Sequence, residues 1–289
     1  MEQTMFLKEW QILLVDDDPD VLAVSKLAMK NFEVYDLPIR ILTAGSKAEA
    51  IEVIKQLTRL KNAIVSVAFI DVVMETDTAG LELCDYIRNT CDDKMMQLYI
   101  RTGQPGIAPE RSVIDKYDIN GYFTKVEMTK DKLYTLVKSA CRQVLYASAS
   151  TIIANATNAL IDAPTTENMQ QIMNYFIHGL QHSVSGEKLE VADVQLSVMV
   201  DGVLVAGEMV PQALALDALP GTSFGGGDKV VTNDQHYMLF KIAASPTTSE
   251  VHFFGKATME IPPTIVKIEH RFIRSIASLW KQKEFMKVS

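Results

Sequence analysis

Residues 65–74 read VSVAFIDVVM, a continuous apolar run broken only by Ser66 and Asp71. Such a run, rich in Val and Ile and without alternation, suits a strand buried on both faces of a parallel sheet, with the carboxylate at its C-terminal end. In open α/β sheets, ligands sit beyond the carboxyl ends of the strands. Three other runs end in polar groups: residues 11–15 lead into Asp16, Asp17 and Asp18, residues 97–100 into Arg101 and Thr102, and residues 119–124 into Lys125. Laid side by side, these strands bring three carboxylates, one hydroxyl and one amine to a single spot.

The segments between the strands read as helices. Pro19 suits a first helical turn, with Asp18 or Asp20 accepting from free N–H groups, and Val21, Leu22, Val24, Leu27 and Ala28 mark the helix face. Residues 39–43 are a short strand. Ser46 reads as an N-cap with Glu49 as its capping-box partner, before a helix carrying Ala50, Ile51, Ile54 and Leu57. Gly80 precedes a helix with Leu81, Leu83, Cys84 and Ile87. Residues 63–70, 97–101 and 119–124 are strands, a loop starts at Thr102, and helices span about 109–117 and 131–146. Strands alternating with helices in this way predict a doubly wound parallel sheet. The helical pattern continues to Asp162-Ala-Pro164, as one stiff helix or as a short linker and a new helix.

The second half has a different grammar. Thr165 or Thr166 starts a helix bearing Met169, Ile172, Met173, Phe176, Ile177 and Leu180. Asp201-Gly202 joins two strands, 195–200 and 203–208, as a hairpin. A short helix is expected at 211–219, strands at 229–232, 236–243 and 250–256, and a last helix after Pro262-Pro263 with Ile265, Ile268, Phe272, Ile276 and Leu279 on one stripe. Antiparallel strands with flanking helices make an α+β domain. The boundaries are 1–145 for the first domain, 146–163 for a helical linker and 164–289 for the second.

At 289 residues the chain has room for about two domains. No apolar run approaches the roughly 18 residues of a membrane span, and the N-terminus shows no secretion signal. The three cysteines lack metal-ligand spacing, so reduced thiols in a cytoplasmic protein are expected. The net charge of −8 argues against nucleic-acid binding.

Asp16, Asp17 and Asp71 would be a costly cluster without a cation, and hard oxygen ligands suit Mg²⁺. Asp71 is then the candidate nucleophile, accepting a phosphoryl group as an acyl phosphate. Mg²⁺ and Lys125 would offset charge on the transferring oxygens, and Thr102 could hydrogen-bond one of them. The bland alternative, helix capping, suffices for Asp18 and Asp20.

The motifs ILLVDDDP, FIDVVM, YIRTG and GYFTKV resemble, in order and spacing, the receiver domain of two-component response regulators over about residues 10–145. The resemblance implies a flavodoxin-like fold with a five-stranded parallel sheet. It implies Asp71 as phosphoacceptor, Asp16 and Asp17 as the acidic pair, the Val73 carbonyl as a further Mg²⁺ ligand, Thr102 and Tyr122 as switch residues, and Lys125 as the phosphate-contacting lysine. Two departures stand out: Val126 replaces the usual proline after the lysine, and the loop Glu75-Thr-Asp-Thr-Ala lacks a proline and is one residue longer. DVVMETDTAGL, RTGQPG and APER resemble a subgroup in which the receiver precedes a GAF-like α+β domain, sometimes with a cyclic-dinucleotide phosphodiesterase domain behind. No such phosphodiesterase domain fits the remaining length, and no His-Asp dyad for one is visible.

The expected function is a cytoplasmic response regulator. A histidine kinase or phosphotransfer protein donates to Asp71, and output runs through an unknown downstream protein or a homodimer, with no nucleic acid or membrane as partner. Its chemistry is limited to self-phosphorylation and autodephosphorylation, so the chain is expected not to be an enzyme. The alternatives are a small-molecule sensor, through the GAF-like domain, and a cyclic-dinucleotide enzyme. The latter rests on Phe224-Gly-Gly-Gly-Asp228, which resembles the GGDEF signature but continues with Lys229 and Val230 and reads better as a loop. His178 and His182, at i and i+4, read as ordinary histidines without a third ligand. The stripe ending before Trp280 reads as core, with a dimer helix as the alternative.

Overall fold

Every residue of strand β4 (Val65–Asp71) is buried, as is every residue of β1 (Trp10–Val15) and β5 (Gln97–Thr102). These strands form the centre of a six-stranded sheet completed by β2 (Glu33–Val34), β3 (Leu37–Ala44) and β6 (Gly121–Thr124), in the order β2-β3-β1-β4-β5-β6. The computed structural model describes residues 9–60, 65–103, 110–181, 195–208, 222–223, 228–233, 237–256 and 260–288. The chain divides into two compact units, one of residues 9–147 and one built on residues 148–289.

In the first unit, five strands run parallel. Their order is the 2-1-3-4-5 of the flavodoxin-like fold, the fold of receiver domains. The sixth strand, β2, pairs antiparallel with β3 through a tight turn in which Tyr35 and Asp36 both have positive φ, 54° and 60°. Sequence reading missed this turn because it carries neither Gly nor Asn, the usual residues for that backbone. The turn is pinned by Trp10, fully buried, whose Nε1 donates to the Val34 carbonyl at 2.8 Å.

Helices α1 (Pro19–Met29), α2 (Lys47–Leu60), α3 (Ala79–Asp85) and α4 (Glu110–Tyr117) connect the strands. Asp18 Oδ1 caps α1 by accepting from the Asp20 and Val21 N–H groups. Ser46 Oγ accepts from the Glu49 N–H, but the Glu49 carboxylate takes the Gly45 N–H rather than that of Ser46. One face needs correction: Val24 and Leu27 of α1 are exposed, whereas Ser25 and Met29 are buried. Helix α3 continues into a π-helical turn (Tyr86–Thr90) holding the buried Arg88, which donates to the carbonyls of Asp118, Asp93 and Met96.

Helix α5 (Lys130–Asp162) is unbroken over 33 residues and runs past the boundary between the units. By length and composition it could cross a membrane, a test that the core helices of soluble proteins also pass. The span reading above overlooked it, because its apolar residues are interleaved with polar ones.

The second unit holds an all-antiparallel sheet of β7 (Gln195–Val200), β8 (Val203–Gly207), β9 (Thr222–Ser223), β10 (Lys229–Asn233), β11 (Tyr237–Ile242) and β12 (Val251–Lys256), in the order β8-β7-β12-β11-β10-β9. The β7–β8 turn has φ of 47° at Asp201 and 81° at Gly202, the signs of a type I′ turn. Helices α6 (Thr166–Gln181) and α7 (Pro263–Val288) flank the sheet. The core gathers Met169, Met173, Phe240, Phe253, Ile273 and Trp280. On α7, Ile265 and Ile276 are buried as expected, Phe272 and Leu279 pack half-buried against the core and Ile268 is half-buried, but the inward face is wider than expected and also takes in Val266, Glu269, His270, Ile273 and Ala277. Lys283 is buried too, and donates to the carbonyls of Ile161 and Ala163 at the C-terminal end of α5, where a cation suits the helix dipole. The helix expected at 211–219 lies outside the described residues.

Gly80 sits where α3 meets the end of β4. Its N–H donates to the Val72 carbonyl at 3.0 Å, and a Cβ built there would lie 1.8 Å from the Asp71 carbonyl oxygen. A side chain must therefore push the helix off the strand end. Gly80→Ala is expected to lower stability by about 2–3 kcal/mol, read from the denaturation midpoint. An unchanged midpoint would show that α3 can shift at no cost.

Candidate functional site

The parallel strands end together, and their register fixes what meets there. Val15 lies opposite Ala44, Asp71 opposite Arg101, and Thr102 opposite Thr124. Asp16 and Asp71 are buried, while Asp17 is exposed. One carboxylate oxygen from each lies within 4.8 Å of the other two.

The Lys125 ammonium stands between the two buried carboxylates, 2.8 Å from Asp71 Oδ2 and 2.9 Å from Asp16 Oδ2. Asp16 Oδ1 also accepts from Lys125 Nζ and from the Asp18 N–H, both at 3.1 Å, and Asp71 Oδ1 accepts from the Val72 N–H at 2.8 Å. Burial works against the charged form of Lys125, but its hydrogen bonds to Asp71 and Asp16 prevail and raise its pKa. For Asp71, burial outweighs the help of Lys125, and the neighbouring Asp16 adds to the rise, so its carboxyl is held above the ordinary 3.8.

Lys125 opens a single 3₁₀ turn (Lys125–Glu127) with Val126 exposed. No proline shapes this turn; a capping box does, with Glu127 Oε2 accepting from the Thr124 N–H at 2.7 Å and from its hydroxyl at 2.8 Å. The longer loop after Asp71 is tethered by Glu75, whose carboxylate accepts from the Lys47 N–H at the start of α2. Thr102 is buried at the end of β5, and Tyr122 of β6 is half-buried against the core. Val73 lies two residues past Asp71 with its side chain also packed on that core.

The structure thus brings together Asp16, Asp17, Asp71 and Lys125, and places Thr102 one residue from Arg101, the strand partner of Asp71. Three carboxylates gathered in one place, two of them on the Lys125 ammonium, fit a divalent cation: all donors are hard oxygens, and the charge they hold exceeds what Lys125 supplies. The arrangement suits phosphoryl transfer to a carboxylate, which needs a nucleophile and fixed positive charge.

Sequence reading missed Arg101 as a member of the site. It is 2% exposed, its Nη2 lies 3.7 Å from Asp16 Oδ2, and its Nη1 donates to Ser25 Oγ at 2.8 Å. A charge closing an otherwise apolar strand was the available signal. Glu127 and Gly80 were missed as well; only the Thr-x-x-Glu spacing of 124–127 announced the former.

In the second unit the GGDEF-like motif resolves differently. Phe224 and the glycines lie outside the described residues, but Asp228 is buried. Its carboxylate accepts from the Ala243 N–H at 3.0 Å, lies 3.0 Å from His270 Nε2 and pairs with Arg274. Such a carboxylate is committed to holding α7 on the sheet. Next to His270, burial raises the carboxyl of Glu269 to about 7. The His178–His182 pair falls outside the described side chains.

No protein-family model matches the chain. Among curated proteins, the 3'3'-cGAMP-specific phosphodiesterase 2 of Vibrio cholerae is 39% identical over 133 residues, 46% of this chain and 24% of that protein. The chain therefore spans about a quarter of the relative's length. Solved structures resembling the chain include the Vibrio cholerae chemotaxis protein CheY4 (18% identity, TM-score 0.38), covering 46% of this chain and 98% of that one. Another is a two-component response regulator from Cytophaga hutchinsonii (19%, TM-score 0.39), covering 47% and 98%. A third is the receiver domain of an HD domain-containing protein from Pseudomonas fluorescens (18%, TM-score 0.37), covering 50% and 92%. One expectation is corrected: the chain was expected not to be an enzyme, and its 39%-identical curated relative is one by name.

The raised pKa of Asp71 has a stability consequence. Because the folded value lies above the unfolded one, its contribution to stability is full below about 3.8 and is lost as pH rises through the folded value. Without divalent cations, Asp71→Asn is expected to melt higher than wild type at pH 7, and the gap to close as pH falls toward 4. Thermal melts across that range check this; equal melting at pH 7 would count against a strained carboxylate.

Proposed function

We propose that the chain is a response regulator that takes a phosphoryl group on Asp71. The observation that carries this reading is the Lys125 ammonium bridging Asp71 and Asp16 at 2.8 and 2.9 Å at the carboxyl ends of a receiver-type sheet. In the transfer, an Asp71 oxygen attacks the phosphorus of a phosphohistidine on a kinase or phosphotransfer protein. The P–N bond breaks as the P–O bond forms, and the leaving imidazole takes up a proton. Lys125 turns to the incoming phosphoryl oxygens, and Thr102 donates its hydroxyl to one of them. Asp16, Asp17, Asp71 and the Val73 carbonyl would hold Mg²⁺, which supplies positive charge at the transferring oxygens. Tyr122 repacks as Thr102 moves.

The output reading draws on the 39%-identical relative. We propose that phosphorylation governs hydrolysis of a cyclic dinucleotide, the activity in that relative's name. The second unit, with its antiparallel sheet and flanking helices, would act as a GAF-like module that senses a ligand or binds a second copy of the chain.

Intact mass after incubation with Mg²⁺ and acetyl phosphate tests the first reading. A single phosphoryl adduct is expected on wild type and none on Asp71→Asn, while Lys125→Ala should form the adduct about a hundredfold more slowly. An adduct persisting in Asp71→Asn would move the acceptor elsewhere. Turnover of 3'3'-cGAMP by the same samples tests the second reading, with a rate that differs between phosphorylated and unphosphorylated protein as the expected result. No turnover in either state would confine the activity to the parts of the relative that this chain does not match.

A further inference from the structure

Arg101 occupies the end of a strand that is otherwise apolar or neutral, directly behind the carboxylates. Nη1 is held by Ser25 Oγ at 2.8 Å, and the guanidinium carbon lies 5.9 Å from the centroid of the Phe69 ring. Among the described residues, Nη2 and Nε have no hydrogen-bond acceptor, and Nη2 faces Asp16 Oδ2 at 3.7 Å. Ser25 is 6% exposed on the inward face of α1, at a position where an apolar side chain would normally pack. The hydroxyl and the guanidinium are thus buried as a pair, and a cation this deep is costly unless a carboxylate matches it. That carboxylate is Asp16, on which Lys125 also acts.

We infer that Arg101 is a positioning residue that competes with a divalent cation for Asp16 and so sets the cation affinity of the site. The inference rests on the reading of this site as a cation-dependent phosphoacceptor. The two basic side chains are not equivalent. Lys125 is a point charge on a flexible stem, free to turn to a phosphoryl group; Arg101, fixed by Ser25 and Phe69, stays. Asp16 therefore keeps a counter-charge in every state, and an incoming cation never meets the full charge of three carboxylates. The site's ligands stay ordered without the cation, at the expense of affinity for it.

Calorimetric titration of Mg²⁺ into the full chain reads this directly. Met fills much of the volume of the arginine stem, and Asp16 keeps the Lys125 ammonium as a partner, so the change leaves no carboxylate without a counter-charge. Arg101→Met is expected to bind Mg²⁺ about tenfold tighter than wild type, and Arg101→Lys, which keeps the charge, within about twofold of it. Ser25→Ala releases Nη1 toward Asp16 and is expected to weaken Mg²⁺ binding; this variant decides the matter if Arg101→Met does not fold. Unchanged or weaker binding by folded Arg101→Met, or unchanged or tighter binding by Ser25→Ala, overturns the inference while the phosphoacceptor reading stands. A wild type that neither binds Mg²⁺ nor takes a phosphoryl adduct overturns both.

Discussion

The first unit depends on one ammonium. Lys125 lies at hydrogen-bonding distance from two buried carboxylates that would otherwise repel each other at the ends of two central strands. Both carboxylates are there because the strands that carry them are buried to the last residue. Apolar strands force their polar termini into one place, and the termini must then neutralise one another. The compromise is incomplete, as the raised pKa of Asp71 shows. A site left partly unsatisfied in this way has a surplus of negative charge that a cation would offset.

The parts legible in the sequence are those set by local pattern. The run 65–71 announced a central strand, the Asp201-Gly202 pair announced its hairpin, and the positions of Asp16, Asp17, Asp71 and Lys125 followed from where apolar runs stop. What escaped was decided by partners distant in the chain. Val24 and Leu27 matched a helical period, yet the inward face of α1 is the one that carries Ser25, because Ser25 serves Arg101 some 76 residues away. The buried face of α7 is wider than its apolar stripe for the same reason. Glu269 and His270 lie inside it, and His270 is drawn there by Asp228, 42 residues upstream. A hydrophobic period assumes that polar residues face water; a buried polar pair breaks that assumption at both of its ends.

The same logic separates the two carboxylates that the sequence made conspicuous. Asp71 and Asp228 are both buried, and both meet cationic or donor groups. Asp228 is held by a backbone N–H, an imidazole and a guanidinium, so its lone pairs are spent on joining a strand start to a helix. Among the described residues, Asp71 meets one backbone N–H and one ammonium, and that ammonium is shared with Asp16. Partner count among the described residues, rather than burial, sets the two carboxylates apart.

The turn after Lys125 shows how a departure from a familiar motif can be absorbed. A proline there would fix φ and present no N–H. With Val126 in its place, the backbone must be held by something else, and Glu127 holds it by accepting from both the N–H and the hydroxyl of Thr124. Thr124 lies opposite Thr102 in the sheet, so the clasp that orients Lys125 is built on the strand pair that ends in the expected switch residue. A shift of Thr102 toward a phosphoryl group would therefore act on the pairing that supports Lys125.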